Sequence, residues 1–309
     1  MVTPDLSVSL GGLRVKNPVM SASGTFGYGL EFTPFYDISR LGAVIVKGLS
    51  LAPTAGNPPG RIVETPAGML NAIGLQNIGV ERFIGDVVPR LEDFGATFVA
   101  NIYGKTGEEY EAVARRLSDV PSLGAIEVNA SCPNVREGGM AFGSTPEGIA
   151  GLTARVRRCT GKPLWVKLSP NVTDIACIAK AAEEAGADAV SLINTIVGMA
   201  VNHRTRRPEL SNVTGGLSGP AIKPVALRMT WEAAKAVRIP VIGIGGIQSS
   251  ANALEFLLVG ASAVQVGTAN FRNPRACIEI LEGMEAFFRE EKIARLADYR
   301  GGLKVEKTP

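Results

Sequence analysis

In the stretch IEVNASCPNVREGG, residues 126–139, an apolar run ends in Asn129 and is soon followed by Cys132 and Pro133. A cysteine used only for packing ordinarily sits within an element, as a small hydrophobe. Cys132 instead falls just past a strand end, in a loop rich in Gly and Asn. A free thiol has a pKa of about 8.5, near enough to neutral to act as a base or a nucleophile. On Cys132 alone, packing and chemistry are both open readings. Other apolar runs end in polar or small residues too: Ser21 and Ser23, Lys47, Asn101, Asn129, Lys167, Asn194 with Thr195, Gly245 with Gly246, and Gly267 with Thr268. A lysine directed into a closed site is costly unless it meets an anion or does chemistry, whereas one on a rim reaches water. One Asn at a strand end caps a turn; three around two lysines offer amide donors and acceptors to a ligand. Carboxylates are missing from this set. Lys and Asn without Asp or Glu suit an anionic heterocycle, not a metal or a sugar cleaved by paired carboxylates.

The elements that must carry these residues repeat. LGAVIV (41–46), FGATFV (94–99), LGAIEV (123–128), AGADAV (185–190) and VGASAV (259–264) each read as a helix stopped by Gly and followed by a strand. Gly suits the left-handed position just after a helix. NPVMSA (17–22), KPLWVKL (162–168) and IPVIGIG (239–245) open with proline, which is tolerated at the first strand position. The eight strands are short and apolar with little alternation, as expected when both faces are buried. Helical patterns such as TDIACIAKAAEEAG and SANALEFLLVG lie between them. The chain therefore reads as a (β/α)8 TIM barrel, one domain over residues 1–309, with a frayed tail in GGLKVEKTP. Three connections, 48–80, 130–147 and 195–222, are long, and they read as loops or hairpins over the C-terminal face, where barrel active sites are built. Glycines in GIGGI and VGTAN, after the seventh and eighth strands, suit a phosphate against backbone N–H groups, with tight turns as the plainer alternative. GIGGIQ is no dinucleotide fingerprint, because Gln248 holds the last position, and YGKTG is no P-loop, because Val99 stands where the first Gly belongs.

Composition narrows the classes. A formal charge of +3 makes nucleic acid an unexpected partner. The first residues lack the apolar core of a signal peptide and no run approaches a membrane span, so a soluble, cytoplasmic protein is expected. The four cysteines, Cys132, Cys159, Cys177 and Cys277, form no Cys-x-x-Cys pair, which speaks against a disulfide framework, a zinc site or an iron–sulfur cluster in this chain. The single histidine, His203, nearly excludes a His-based triad; in NHRTRRP it reads as a solvated hairpin tip in preference to an anion or partner contact.

NPVMSASGTFGYGLEF, GMLNAIGLQNIG, NASCPNVREGGMAFG, VKLSPNV, LINTIVGM, TGGLSGPAIKPVALR, GIGGI and ASAVQVGTANF together resemble the dihydroorotate dehydrogenases, in the same order from about residue 17 to 274. The pattern is most similar to the catalytic subunit of the NAD-linked class 1B. The resemblance implies non-covalent FMN contacted by Ser23, Lys47, Gly48, Asn101, Asn129, Lys167, Ile193, Gly219, Gly245, Gly246, Gly267 and Thr268. It implies dihydroorotate bound by Lys47, Asn71, Ala72, Ile73, Gly74, Leu75, Asn129, Asn194 and Thr195, with Cys132 as catalytic base, in pyrimidine (UMP) biosynthesis. It also implies a partner subunit carrying FAD and a [2Fe–2S] cluster that passes electrons to NAD, and a homodimer of this chain within a heterotetramer. The membrane-bound class uses serine as base. The fumarate-linked class 1A shares the cysteine and stays an alternative, as do a dehydrogenase of another dihydropyrimidine and, more distantly, a flavin-free phosphate-binding barrel lyase using Lys167 as a Schiff base. One departure is NIYGKTG, where Tyr103 and Lys105 replace the family's more usual small residues.

Overall fold

A computed structural model describes residues 3–130, 136–137 and 140–305; Cys132 and the end of the tail, 306–309, lie outside the described residues. Eight parallel strands form the centre: β1 (Val19–Ser21), β2 (Val44–Ile45), β3 (Phe98–Ile102), β4 (Leu123–Asn129), β5 (Leu164–Lys167), β6 (Ala189–Leu192), β7 (Val241–Ile244) and β8 (Ala263–Val266). All eight segments expected from the sequence are strands. They are hydrogen-bonded in the order β1-β8-β7-β6-β5-β4-β3-β2. The ring closes through a parallel bridge between Met20 and Ala43, helped by Gly42 N–H donating to the Val19 carbonyl at 2.9 Å.

The first connection departs from the expected uniform unit. It holds only two 3-10 turns, Leu30–Phe32 and Ile38–Arg40. Phe26, fully buried, stacks on Phe32 at 3.7 Å within this connection. The helices after β3, β4, β5 and β7 start at the mouth and are capped there by side chains. Thr106 caps Gly107–Ser118, Thr145 caps Pro146–Arg157, Asp174 caps Ile175–Glu184 and Ser249 caps Ser250–Leu258, each accepting from a first-turn N–H. The glycine rule holds in part. Gly95, Gly186 and Gly260 have φ of 59°, 98° and 110°. Gly42 and Gly124 are not left-handed; Gly124 lies within β4, and Gly42 is needed because a Cβ there would stand 2.1 Å from the Asn17 carbonyl oxygen.

Two further pieces close the barrel ends. At the N-terminal end Val8–Leu10 pairs antiparallel with Leu13–Val15. The Gly11-Gly12 turn between them has φ of 61° and 93°, both positive, as a two-residue hairpin demands. Leu10 is fully buried and its carbonyl accepts from Trp165 Nε1 at 3.2 Å, so the hairpin plugs the barrel floor. At the opposite end the excursions from 48–80 and 195–222 do form hairpins over the mouth, but they join in one four-stranded antiparallel sheet, in the order Ile196–Met199, Thr214–Ser218, Gly68–Asn71, Ile62–Thr65. Within the third excursion the backbones of Arg136–Glu137 and Met140–Ala141 pair antiparallel. Among the described residues no helix is long and apolar enough to cross a membrane.

Candidate active site

A strand turns alternate side chains to opposite faces, so residues two apart share a face. In this barrel the rule converts each strand into an inward column that changes character with height. Near the floor Ile45, Val99, Ala125, Trp165, Ala189 and Ala263 pack as one buried cluster. Two residues further on, the same columns carry Lys47, Asn101, Glu127, Lys167, Ser191 and Gln265; another step brings Asn129 and Gly267. The intervening Ala100, Ile126, Val128, Val166 and Val190 belong to the outer core under the helices. The polar residues at the strand ends therefore converge because an apolar strand continues for one more inward position at the mouth.

Most of the expected site residues are brought together. Asn194 Nδ2 donates to Asn129 Oδ1 at 3.4 Å, joining β6 and β4. The Asn129 carbonyl accepts from the buried Tyr110 hydroxyl at 2.7 Å. Asn101 is 1% exposed and its Oδ1 faces Gly48, where a Cβ would stand 2.9 Å away. Asn71 Nδ2 donates to the Gly216 carbonyl at 3.3 Å, and the Thr195 side chain occupies the space over Gly216, so both lie against Gly216 of the capping sheet. Ser21 does not belong to the mouth: it is fully buried, and its Oγ accepts from Ile45 N–H at 3.0 Å, a barrel-closing bond. Ser23, two residues beyond, is half-buried. Cys132 is outside the described residues, so its place relative to Asn129 is read from the sequence alone.

Neither lysine forms an ion pair among the described residues. Lys167 is 6% exposed and its ammonium forms no hydrogen bond or ion pair with the described residues. Burial lowers its pKa, and the nearby Glu127 charge partly opposes that fall. Lys47 is half-buried, and its pKa is lowered first by burial and then by the positive charge of Arg61. Lys47 and Arg61, two cations of like charge with no carboxylate acting on Lys47 among the described residues, make a place for an anionic group.

The glycines divide by what surrounds them. At Gly245, φ 127°, a Cβ would meet Ala226 at 2.8 Å and lie 3.4 Å from Ile193. At Gly246, φ 72°, it would meet the Lys223 nitrogen at 2.9 Å and the Gly219 carbonyl at 3.0 Å. Gly219, φ 93°, sits 2.7 Å from Gly68 on the same measure. These three are small because the protein's own chain crosses there. Gly267 differs: a Cβ would find only Ala22 at 3.5 Å and Thr25 at 3.8 Å, ordinary contacts. Among the described residues nothing crowds a side chain at Gly267, which leaves space there for a ligand. Thr268 beside it shares a 2.8 Å hydrogen bond with Ser218 of the capping sheet. A phosphate approaching the backbone, and a planar anionic ring near Lys167, are compatible with this set.

Several residues that shape the site were not singled out in the sequence. The segment Asn71, Ala72, Ile73, Gly74 and Leu75 is held from outside. Asn57 donates through its backbone to the Ile73 carbonyl at 2.9 Å and through Nδ2 to the Ala72 carbonyl at 2.7 Å. The Leu75 carbonyl accepts from Asn77 Nδ2 at 2.9 Å and from the Tyr103 hydroxyl at 3.1 Å. Tyr103, the apparent departure, is a buried anchor for this segment, and Lys105 is held by its backbone, which donates to Glu109 Oε2 at 2.6 Å. The expectation of no carboxylate needs correction. Glu127 lies fully buried one inward position below Asn129, bonded to Asn101, Ser191 and Gln265. Its signal was a charged residue inside an otherwise apolar strand, two before an Asn already singled out. His203 sits in an exposed turn beyond Asn202, as the plainer reading held. Among the described residues no group of three or more His, Cys, Asp or Glu could hold a metal.

A profile of the dihydroorotate dehydrogenase family matches residues 5–288. The chain is 58% identical to the dihydroorotate dehydrogenase B (NAD(+)) catalytic subunit of Trichlorobacter lovleyi, over 97% of this chain and 99% of that one. It is 56% identical to the protein of the same name from Pelobacter propionicus, with the same coverage, and 55% identical to that of Geotalea daltonii over 99% of this chain and all of the other.

Proposed function

The chain belongs to the dihydroorotate dehydrogenase family, and we propose that it oxidises dihydroorotate to orotate with FMN held in the barrel mouth as a single domain over residues 1–309. The observation that carries the reading is the buried Lys167 ammonium, which makes no hydrogen bond or ion pair with the described residues, at the end of the barrel that also holds the open backbone at Gly267 and the amides of Asn101, Asn129 and Asn194. Ser23, Lys47, Gly48, Ile193, Gly219, Gly245, Gly246 and Thr268 complete the proposed cradle. Bound there, FMN supplies an acceptor for the hydride leaving C6 of the substrate. Lys167 supplies fixed positive charge to the flavin edge on which negative charge develops. Asn71, Asn129, Asn194 and Thr195 hold the pyrimidine edges, while Lys47, with the field of Arg61, attracts the carboxylate. Residues 72–75 wall the substrate, with Gly74 kept small because a Cβ would fall 2.6 Å from Asn57 N. Cys132, as thiolate, removes the C5 proton; general-base help of this kind is worth roughly 10²–10⁴-fold.

The relatives' names specify a catalytic subunit and NAD(+). We therefore propose that electrons leave through a partner subunit carrying FAD and a [2Fe–2S] cluster, with two copies of this chain in a cytoplasmic heterotetramer. The absence of a dinucleotide fingerprint and of paired cysteines in the sequence supports a borrowed electron path. The direct test is colour and titration. Purified chain should be yellow, release FMN on denaturation and bleach on adding dihydroorotate. Correctly folded, colourless protein that takes up no added FMN defeats the reading.

A further inference from the structure

The chemistry just described leaves the fully buried Glu127 carboxylate without a part. Its Oε1 accepts from Asn101 Nδ2 at 2.8 Å, and its Oε2 accepts from Ser191 Oγ at 2.8 Å and Gln265 Nε2 at 2.6 Å. Those partners stand on β3, β6 and β8, so one side chain on β4 ties strands on both sides of it across the barrel interior. All three partners donate, the arrangement that suits an ionised, acceptor-only carboxylate. As packing this is a costly choice, since burying an anion must be offset by its bonds. The layer immediately below fills the same columns with Val99, Ala125, Ala189 and Ala263 and needs no polar atom.

What separates the two layers is their neighbour above. Lys167 enters the barrel one inward step higher, paired in register with Asn129, and Glu127 is the only ionisable group among the described residues whose charge acts on it. Asn101 is fixed in the same way: because Glu127 takes its Nδ2, its Oδ1 is turned toward Gly48 at the mouth. We propose that Glu127 is a positioning residue, which orients the Asn101 amide and serves as the built-in counter-charge of the Lys167 ammonium under the flavin. The proposal rests on the FMN reading and deepens it.

Two variants test it. Glu127→Gln keeps the size and removes the charge. The exchange E127Q/Q265E returns a carboxylate to the same layer but moves it from β4 to β8. Each is compared with the wild type by thermal unfolding, by FMN affinity between pH 6 and about 9.5, and by the rate at which formaldehyde and cyanoborohydride methylate Lys167 in flavin-stripped full-length chain, read by peptide mass spectrometry. E127Q should lose FMN affinity roughly tenfold or more, the loss growing toward alkaline pH, and its Lys167 should be methylated several-fold faster at pH 7, because the neutral amine is then more populated. The exchange variant should recover thermal stability but not FMN affinity or slow methylation. Recovery of all three by the exchange reduces Glu127 to a structural part of its layer and overturns the proposal, as does E127Q with wild-type affinity and methylation at every pH. Should E127Q not fold, the exchange variant alone decides on the same criteria. Wild-type chain that binds no FMN sinks the flavin reading, and the methylation comparison then still rules on Glu127.

Discussion

Lys47 carries a cost that the ligand-free fold cannot offset. Its charge is half-buried, faces Arg61 and has no anion among the described residues. A lysine whose pKa falls on folding binds fewer protons folded than unfolded, so stability rises with pH across the gap between the two values. The penalty is full below the lowered value and vanishes as pH passes the ordinary lysine value of about 10.4. Lys47→Met, which keeps the apolar stem, should therefore raise the melting temperature of flavin-free chain at pH 7 by roughly 1–3 °C, and the gain should shrink to nothing above about pH 11. Dihydroorotate turnover should fall steeply in the same variant. A melting temperature lowered at pH 7 would show that Lys47 is paired in the fold. Cys132 makes the complementary case. Cys132→Ala should keep FMN and lose roughly 10²–10⁴-fold in turnover, and Cys132→Ser should retain a little activity that improves at high pH, since a hydroxyl is a weaker acid than a thiol. Near-normal rates in the alanine variant at every pH would remove Cys132 from the mechanism. The strand-end residues were legible in the sequence because a buried strand has few reasons to end in Lys or Asn. Glu127 showed only as a charged residue inside an apolar strand, and what it does there was not legible because its three partners lie between 26 and 138 positions away.

Elements made of local signals were equally legible, and pairings between distant segments were not. The eight strands follow from short apolar runs bounded by Gly or Pro, and the floor hairpin could have been read from alternating apolar residues around Gly11-Gly12. The four-stranded cap could not, since residues 69–71 pair with 216–218 through a register that no local pattern encodes. The same distance hides the anchor at Tyr103. Its hydroxyl donates to Leu75 O at 3.1 Å, lies within hydrogen-bond distance of the Thr54 hydroxyl at 3.1 Å, and accepts from Asn77 Nδ2 at 3.1 Å. It thereby binds the first part of the 48–80 excursion to β3, and through Leu75 it holds the segment proposed to wall the substrate. Removing a buried hydroxyl that serves several partners costs about 1–2 kcal/mol. Tyr103→Phe should therefore raise KM for dihydroorotate by roughly 5–30-fold, with a much smaller change in kcat and in FMN content. Steady-state kinetics on flavin-saturated enzyme decide the point; an unchanged KM with a lowered kcat would place the anchor's effect on the chemical step.

At the scale of the whole molecule, the barrel gathers Lys47, the asparagines and the glycine cradle on one mouth, and the capping sheet narrows what can reach it. In the function proposed above, this mouth is where substrate meets flavin. The glycines of GIGGIQ lie at a turn crowded by Lys223 and Gly219 and do not follow a dinucleotide fingerprint. The cysteines described also give no cluster: Cys159 and Cys277 are buried, Cys177 is exposed, and burial pushes the Cys277 thiol up to about 12, which leaves it inert. Electron flow should accordingly split into two halves. In stopped flow, the isolated chain should bleach rapidly with dihydroorotate and then form NADH only slowly. Adding the FAD and iron–sulfur partner should restore rapid NADH formation without changing the bleaching rate, since the first half uses only residues of this chain. Fast NADH production by the isolated chain would reject the division of labour. No NADH with the partner, together with brisk fumarate reduction without it, would assign the fumarate-linked electron path, because the shared cysteine base serves either path and only the acceptor distinguishes them.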